Sequence, residues 1–295
     1  MLLFALMAVG YLLGKLRLFS PRFSRDLTAL LLQVLLPCTI FHAVTEQYEA
    51  TLLRGLAVTF AASLLFYLLS LLLCRLPARL LPPAKRSLWR FSAVFPNNGF
   101  LGYPVAESVY GATGIFLAVG PNIANNLLVF TVGVRLLSHD GQQPLPWRKI
   151  LLTPVNLAAA AGIVCFLTRW LPPAPLQTLI GYLADATTPL SLLLVGLSIA
   201  PLPLSTLFTD RAALSAAGLR MLALPALLLL ATRLLPLPAD PAVSGILLLM
   251  NALPTAAVSV PLAMQYCGDA GLAARTVFLS SLFGLATLPL LLLAG

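Results

Sequence analysis

Two polar stretches interrupt otherwise apolar segments and hold the residue types that could do chemistry. The first reads FPNNGFLGYP at Phe95–Pro104, and the second reads NALPTAAVSVP at Asn251–Pro261. Proline removes a helical hydrogen bond and clashes with the preceding turn, and glycine lowers the cost of unwinding, so both stretches predict broken helices. In lipid, such a break is tolerated only where it is buried in protein or lines a wet cavity.

The chemistry that these breaks could provide is the binding of an anion. Each break predicts a second half-helix, starting near Asn98–Phe100 in one case and near Thr255–Ala257 in the other. Its unpaired N–H groups and positive dipole end favour negative charge. Two such starts could hold a carboxylate without an arginine, since we expect no basic side chain at membrane depth. Asn97, Asn98 and Thr255 would add side-chain donors; alternatively the asparagines cap their own broken helix, and both roles can coexist.

Three further amides lie in the next apolar segment, at Asn122, Asn125 and Asn126. Their i, i+3, i+4 spacing places them on one face of a helix. We expect Asn125 or Asn126 to face the crossover of the two breaks. The alternative is that these amides hold neighbouring helices together by hydrogen bonds.

Acidic residues are few in the apolar segments, and Glu107 and Asp185 are the ones that could carry a coupling proton. The alternative for both is a carboxylate at the membrane interface or at a helix cap. Asp269 is typical of an N-cap for the last helix. Nucleotide-binding and metal-ligand motifs are missing, so we expect no cofactor and no metal, and the spans offer too few acids, bases and nucleophiles for an enzyme.

The composition predicts an integral membrane protein. Of 295 residues, 60% are hydrophobic and only 9% are charged, with a mean hydropathy of +0.97. A soluble domain carries about 25% charged residues. The net charge of +9 does not indicate nucleic-acid binding, because the 18 basic residues cluster between apolar segments and act there as topology signals.

The apolar pattern predicts an all-α polytopic fold with ten membrane segments. They lie at about 1–14, 26–44, 52–74, 87–109, 114–137, 149–171, 176–200, 211–235, 241–266 and 270–294. The connections after odd-numbered segments carry most Lys and Arg. Arg220 is counted loosely among them, since the alternative is that it lies inside a helix. Since positive charge stays in the cytoplasm, both termini are predicted to lie outside.

The longest polar stretch, Ser138–Trp147, divides the chain into two halves of five segments. We therefore predict a first repeat at 1–137, a cytoplasmic connection at 138–148 and a second repeat at 149–295. An odd number of spans per half inverts the second half relative to the first. Three residues of the first half recur at one shared offset in the second, as the pairs Pro104 and Pro261, Gly111 and Gly268, and Gly114 and Gly271.

Four motifs together resemble the auxin efflux carrier family of membrane transporters. They are NNGFLGYP with a following Tyr-Gly, ALPTA…VP…YCGD…A, the terminal SSLFGLATLPL, and TTPLSLLLVGLSIA in the seventh segment. The resemblance covers essentially the whole chain. It implies ten spans, two inverted repeats, and a scaffold part beside a transport part that moves in an elevator-like way about crossed fourth and ninth helices.

The family's crossover positions fall on Asn97, Asn98, Gly99, Pro104, Pro254 and Pro261. With the residues named above, the candidate substrate-binding set is Asn97, Asn98, Gly99, Asn125, Asn126, Pro254 and Thr255. The candidate hinges are Pro96, Pro104, Pro254 and Pro261. The chain lacks the long central loop of the plant members, and it has Ala256 and Ala257 where further polar side chains would be expected at the second crossing.

The resemblance implies a secondary transporter of small organic anions, such as dicarboxylates or auxin-like carboxylates, working as a homodimer among membrane lipids. The alternative within the class is a sodium-coupled symporter of the bile-acid type, and coupling to protons or sodium is open. A channel is a further alternative, although crossed broken helices suit alternating access better than an open pore. The compact loops and the Leu-, Pro- and Arg-rich usage favour a bacterial inner membrane.

Overall fold

The structure is a computed structural model that describes residues 2–46, 50–138, 152–200, 208–234, 241–267 and 269–294. Over these ranges the chain is helical, and extended pairing is limited to one isolated bridge. His139, nearly all of the predicted connection 138–148, and Gly268 of the predicted repeat lie outside the described residues.

Sixteen helices are labelled here in chain order within the described ranges. They are α1 (Leu2–Lys15), α2 (Pro21–Leu30), α3 (Leu36–Glu46), α4 (Ala50–Leu73), α5 (Arg75–Ala78), α6 (Pro83–Val94), α7 (Tyr103–Leu128), α8 (Val134–Leu137), α9 (Pro154–Thr168), α10 (Ala174–Asp185), α11 (Thr187–Ile199), α12 (Arg211–Gly218), α13 (Leu224–Leu234), α14 (Pro241–Asn251), α15 (Ser259–Tyr266) and α16 (Ala270–Ala294). Single π-helical turns join several of them, at Leu31–Leu35, Asn98–Gly102, Val129–Gly133 and Leu219–Ala223.

Six helical stretches are long and apolar enough to cross a membrane. They are Arg22–Thr45, Leu52–Ala78, Asn98–Leu137, Ala174–Leu197, Arg211–Leu234 and Ala270–Leu291. Shorter apolar helices lie at Ala5–Lys15, Pro154–Thr168 and Pro241–Asn251. Many leucines on these helices are exposed, which lipid contact would explain.

The stretch Asn98–Leu137 contains a sharp change of direction at Gly111. This glycine has φ +60° and ψ −148°, values that lie outside the helical region and that glycine adopts without strain. The interruption falls between the predicted fourth and fifth apolar segments, 87–109 and 114–137.

The chain forms two compact units that each draw on both halves of the sequence. The scaffold-side unit, so named here for reference, comprises Met1–Ala57, Gly99–Val119 and Leu151–Pro201. The crossover unit comprises Val58–Asn98, Gly120–Ile150 and Leu202–Gly295. The units are defined by their internal contacts and the predicted repeats by internal sequence similarity, so the two divisions of the chain are separate findings.

The scaffold-side unit is built on a close approach of two helices, α1 and α11. A Cβ added at Gly196 would lie 2.1 Å from the carbonyl oxygen of Met7, and one at Gly10 would lie 2.2 Å from that of Leu193. The two backbones therefore touch, as small residues allow in membrane helix pairs. A buried hydrogen bond of 2.7 Å from Thr39 Oγ1 to Thr187 Oγ1 joins α3 to α11 in the same unit.

The crossover unit is fastened at one end by an ionic cluster around Asp210. Its carboxylate accepts hydrogen bonds from the N–H groups of Ala212 and Ala213 at the start of α12. It also pairs with Arg275 of α16 at 2.8 Å and lies 3.8 Å from Lys85 of α6. Three helices are thus joined at their ends, and the N-cap of α16 is Asp269, as predicted, accepting from the N–H of Leu272.

The Asp210 cluster predicts a pH-dependent stability. Burial acts to raise the pKa of Asp210, but the Ala213 N–H and the charges of Lys85 and Arg275 outweigh it, so the pKa lies below its ordinary value. A lowered folded-state pKa means that the stabilisation is present above the unfolded-state pKa and is lost as the pH falls through the folded-state pKa. Asp210→Asn, which keeps an N-cap, should lower stability near neutral pH by about 1 to 2 kcal/mol.

The measurement is the apparent melting temperature of both proteins from about pH 7 to about pH 3. The gap between wild type and Asp210→Asn should close as the medium becomes acid. A gap that stays constant over this range would show that the charge of Asp210 does not contribute.

Candidate functional site

The two predicted breaks lie against each other within the crossover unit. Pro96 and Thr255 form an antiparallel bridge between the chain after α6 and the chain after α14. The N–H of Asn97 donates to the carbonyl of Pro254, and the N–H of Ala256 donates to that of Phe95, both at 2.8 Å. Pro96 therefore occupies a position where the bridge requires no N–H from it, which is why proline is tolerated there.

Thr255 is fully buried and fixes the second break to its neighbours. Its hydroxyl donates to the carbonyl of Ser92 at 2.8 Å, one of the carbonyls left free at the end of α6. Its N–H donates to Ser280 Oγ of α16 at 3.0 Å. Thr255 was predicted as a substrate donor, and in this structure its hydroxyl is used to hold the crossover together.

Asn98 and Asn125 form a reciprocal clasp around two prolines. The Asn98 amide donates to the carbonyl of Pro121 at 3.3 Å, and the Asn125 amide donates to the carbonyl of Pro96 at 3.3 Å. Asn98 also donates to the hydroxyl of Tyr67 at 3.2 Å. The clasp ties the helix that carries Asn125 to the first break, so the structure brings Asn125 to the crossover while Asn126 is half-buried.

Several amide oxygens at the crossover are sealed from solvent and have no donor within the described residues. They belong to Asn98, Asn125 and Asn251, whose NH₂ groups donate to backbone carbonyls. Turning any of these amides would place its oxygen against a backbone carbonyl, which cannot donate, and would break the existing hydrogen bond to that carbonyl. A buried acceptor without a donor costs about 1 to 3 kcal/mol, so the site carries unused hydrogen-bonding capacity.

Arg220 corrects the expectation that no basic side chain lies at membrane depth. It sits in the π-helical turn Leu219–Ala223, in the middle of the apolar stretch Arg211–Leu234, and its side chain is fully buried. Its guanidinium donates to the carbonyls of Val94 and Leu253 at 2.8 Å, and also to that of Asn251. Counting Arg220 among the loop charges was wrong, because its neighbours on both sides are helical and apolar.

The remaining predicted hinges and contacts lie beside the breaks. Gly99 belongs to the π-helical turn Asn98–Gly102, and an added Cβ there would meet nothing within 4 Å. Pro104 is buried at the start of α7, and Pro261 is exposed in the first turn of α15, where a missing N–H costs little. Gly99 and Pro104 fall in the scaffold-side unit, and Pro261 falls in the crossover unit.

The two acids proposed for proton coupling have different surroundings. Glu107 is half-buried and accepts a hydrogen bond of 2.7 Å from Thr188 Oγ1, within the scaffold-side unit. Asp185 is exposed at the last position of α10. Among the described residues, no group of three or more His, Cys, Asp or Glu side chains could hold a metal ion.

Comparison with known proteins gives the family. A family model described as membrane transport protein matches residues 1–292 of the chain. The chain belongs to this family. The match confirms the resemblance to the auxin efflux carriers at the level of the family, and with the apolar helices above it makes the protein a multi-pass integral membrane transporter.

Three relatives span nearly the full length of the chain. An uncharacterized transporter of Methanothermobacter thermautotrophicus is 27% identical over 97% of this chain and 93% of its own length. An uncharacterized transporter of Methanocaldococcus jannaschii is 26% identical over 97% and 94%. A protein of Rhizobium meliloti, whose name proposes that it transports malonate, is 26% identical over 98% and 92%.

Proposed function

We propose that the protein is a secondary transporter that binds a small organic anion at the crossover and exposes it alternately to the two sides of the membrane. The observation that carries the proposal is the bridge between Pro96 and Thr255, where two interrupted apolar helices meet. New helical segments begin directly afterwards, at Asn98 and at Ser259. Paired interruptions of this kind point to a transporter's binding site.

The chemistry of the crossover supports an anion more than a cation. The starts of helical segments carry a partial positive charge. At the second break the N–H groups of Ser259 and Val260 already donate to the carbonyls of Ala256 and Ala257, so it is the helix dipole that would act on a ligand there. Arg220 is a buried charged side chain at the crossover, and the ion pairs of the described residues do not include it. A carboxylate bound close to the helix starts would meet their positive ends, and the net positive charge of the crossover comes from Arg220.

Malonate and similar dicarboxylates are the proposed substrate class. The support is the Rhizobium meliloti relative, whose name gives malonate as its proposed cargo. Auxin-like aromatic carboxylates are the second class to be compared with it.

The architecture that we propose is ten spans in two inverted five-helix repeats, with both termini outside and an elevator-like movement. Its support is that each of the ten predicted apolar segments contains a helix in the described residues, and that the breaks of the fourth and ninth are joined by the bridge between Pro96 and Thr255. A homodimer in a bacterial inner membrane is part of the same proposal, by resemblance to the family.

The experiment is thermal stabilisation of the purified protein by a panel of carboxylates, with and without sodium. A ligand that binds the native state raises the apparent melting temperature by mass action. A rise in melting temperature with a dicarboxylate supports the proposal. A rise with an aromatic acid instead would assign auxin-like carboxylates as the substrate class. A shift that requires sodium selects the symporter alternative, and no shift with any anion contradicts the proposal.

Glu107 is the proposed proton carrier, in preference to the exposed Asp185. Glu107→Gln should keep the hydrogen bond to Thr188 and leave substrate binding intact, yet flatten the pH dependence of uptake into vesicles. Asp185→Asn is the matched control and should keep the wild-type pH profile. A Glu107→Gln protein with an unchanged profile would rule out this role.

A further inference from the structure

A broken helix presents both of its new ends at the break, and their partial charges have opposite sign. The start of the second half carries about +0.5 and the end of the first half about −0.5. Two crossed breaks therefore sum to about zero, and the helix ends alone do not make the crossover selective for an anion. Selectivity for an anion therefore requires a positive charge close to the carboxyl ends of the two first half-helices.

Arg220 lies where the negative ends are. Val94 is the last residue of α6, Asn251 is the last residue of α14, and Leu253 follows two positions later. The carbonyls of these three residues accept hydrogen bonds from one guanidinium. One cation thus binds the carboxyl ends of both first halves, within the crossover unit.

The charge of Arg220 is not cancelled by an acid in the part of this unit that the structure describes. Asp210 and Asp269 are the acids present there, and Asp210 pairs with Arg275 and Lys85 while Asp269 caps α16. The full positive charge of Arg220 therefore offsets about one negative unit from the two helix ends. The two positive helix starts at Asn98 and Ser259 remain.

We propose that Arg220 is the residue that makes the crossover select anions, by neutralising the carboxyl ends of both first half-helices. It is a positioning and specificity-determining residue that acts on the substrate through the field of the crossover. The inference rests on the proposed function, since it assigns the charge preference of that same site. It also gives a reason for a fully buried guanidinium at a position where a purely structural link between helices could be neutral.

The test compares three ligands with one carbon skeleton and different charge: malonate, malonamate and malonamide. Wild-type protein should bind the charged members more tightly than the neutral one. In Arg220→Gln the affinity for malonate should fall at least about tenfold, while that for malonamide changes little. Arg220→Lys, which keeps the charge with fewer donors, should restore part of the preference.

A purely structural role would lower the affinity for all three ligands alike, and lysine and glutamine would behave similarly. A second variant, Asn251→Asp, leaves Arg220 in place and adds a negative charge to a residue whose backbone carbonyl contacts the guanidinium, so it should also reduce the preference for anions. If Arg220→Gln or Asn251→Asp folds and keeps the wild-type preference for anions, the inference is overturned. It is also overturned if none of the three variants folds, because these residues would then have a structural role only. If wild-type protein binds none of the carboxylates, the proposed function fails instead.

Discussion

Replacing Asn98 with alanine is expected to abolish transport while the protein remains folded. The amide of Asn98 holds the first break by donating to Tyr67 and to Pro121, and the next helical turn begins at this residue. Alanine removes both donors, so the N–H groups that follow lose their fixed position. Substrate binding depends on such positioning; in enzymes, displacement of a positioning group by about 1 Å can cost about 100-fold in rate.

The stability cost of the same change should be moderate. Alanine leaves the Tyr67 hydroxyl and the Pro121 carbonyl without this partner, but it also removes a buried oxygen that has no donor. These effects oppose each other, and we expect a net loss of about 1 to 2 kcal/mol. Uptake in vesicles and the apparent melting temperature are the two measurements.

Two further variants make the Asn98 result specific. Gln177→Ala is the matched control, because the Gln177 amide also donates to a proline carbonyl, that of Pro172, but outside the crossover. It should keep wild-type uptake. Tyr67→Phe removes one of the two acceptors of Asn98 and should give an intermediate loss. Normal uptake kinetics in Asn98→Ala would remove this residue from the site.

Replacing Gly196 with alanine is expected to destabilise the protein by about 3 kcal/mol. The new methyl group would lie 2.1 Å from the Met7 carbonyl oxygen and 2.6 Å from the Tyr11 nitrogen, and both are backbone atoms. Backbone atoms cannot move aside as a flexible side chain can, so α1 and α11 would have to separate. The higher helix propensity of alanine stabilises a helix by about 1 kcal/mol, which is less than the cost of separating α1 from α11.

Gly218→Ala is the control for this prediction. Gly218 is also a helical glycine, but an added Cβ there would meet nothing within 4 Å. Its apparent melting temperature should stay unchanged or rise slightly. Equal behaviour of the Gly196 and Gly218 variants would show that α1 and α11 are not packed as closely as described.

The positions of the helices and of both interruptions could be predicted from the sequence. Long apolar runs have few alternatives to helix, and Pro96 and Pro254 each stand in a run that is otherwise continuous. The N-cap at Asp269 was likewise predictable from one residue type beside a glycine. These features depend on local chemistry, which the sequence contains in full.

The partners of the site residues could not be predicted in the same way. The sequence suggested that Asn98 and Thr255 offer donors to a substrate, whereas the structure uses those donors on Pro121, Tyr67 and Ser92. Which acceptor lies nearest is decided by packing between distant segments. Amide and hydroxyl side chains are especially ambiguous because they bond equally well to protein and to ligand.

Arg220 had a sequence signal that loop counting concealed. An arginine inside the apolar run 211–235 is costly and is kept only for a partner or a function. The loose assignment to a loop gave too little weight to the eight residues between Arg211 and Arg220, which place Arg220 well inside the run. Its three carbonyl partners lie in segments far away in the chain, so only the fold identifies them.

The central claim is that the crossover carries a small organic anion by alternating access. The most direct measurement is counterflow, in which vesicles containing purified protein and unlabelled malonate take up labelled malonate from outside. We predict faster uptake than into vesicles without internal malonate, loss of this stimulation in Asn98→Ala, and its retention in Gln177→Ala. Uptake that is independent of the internal malonate would indicate a channel, and no uptake of malonate or of any other carboxylate would contradict the account.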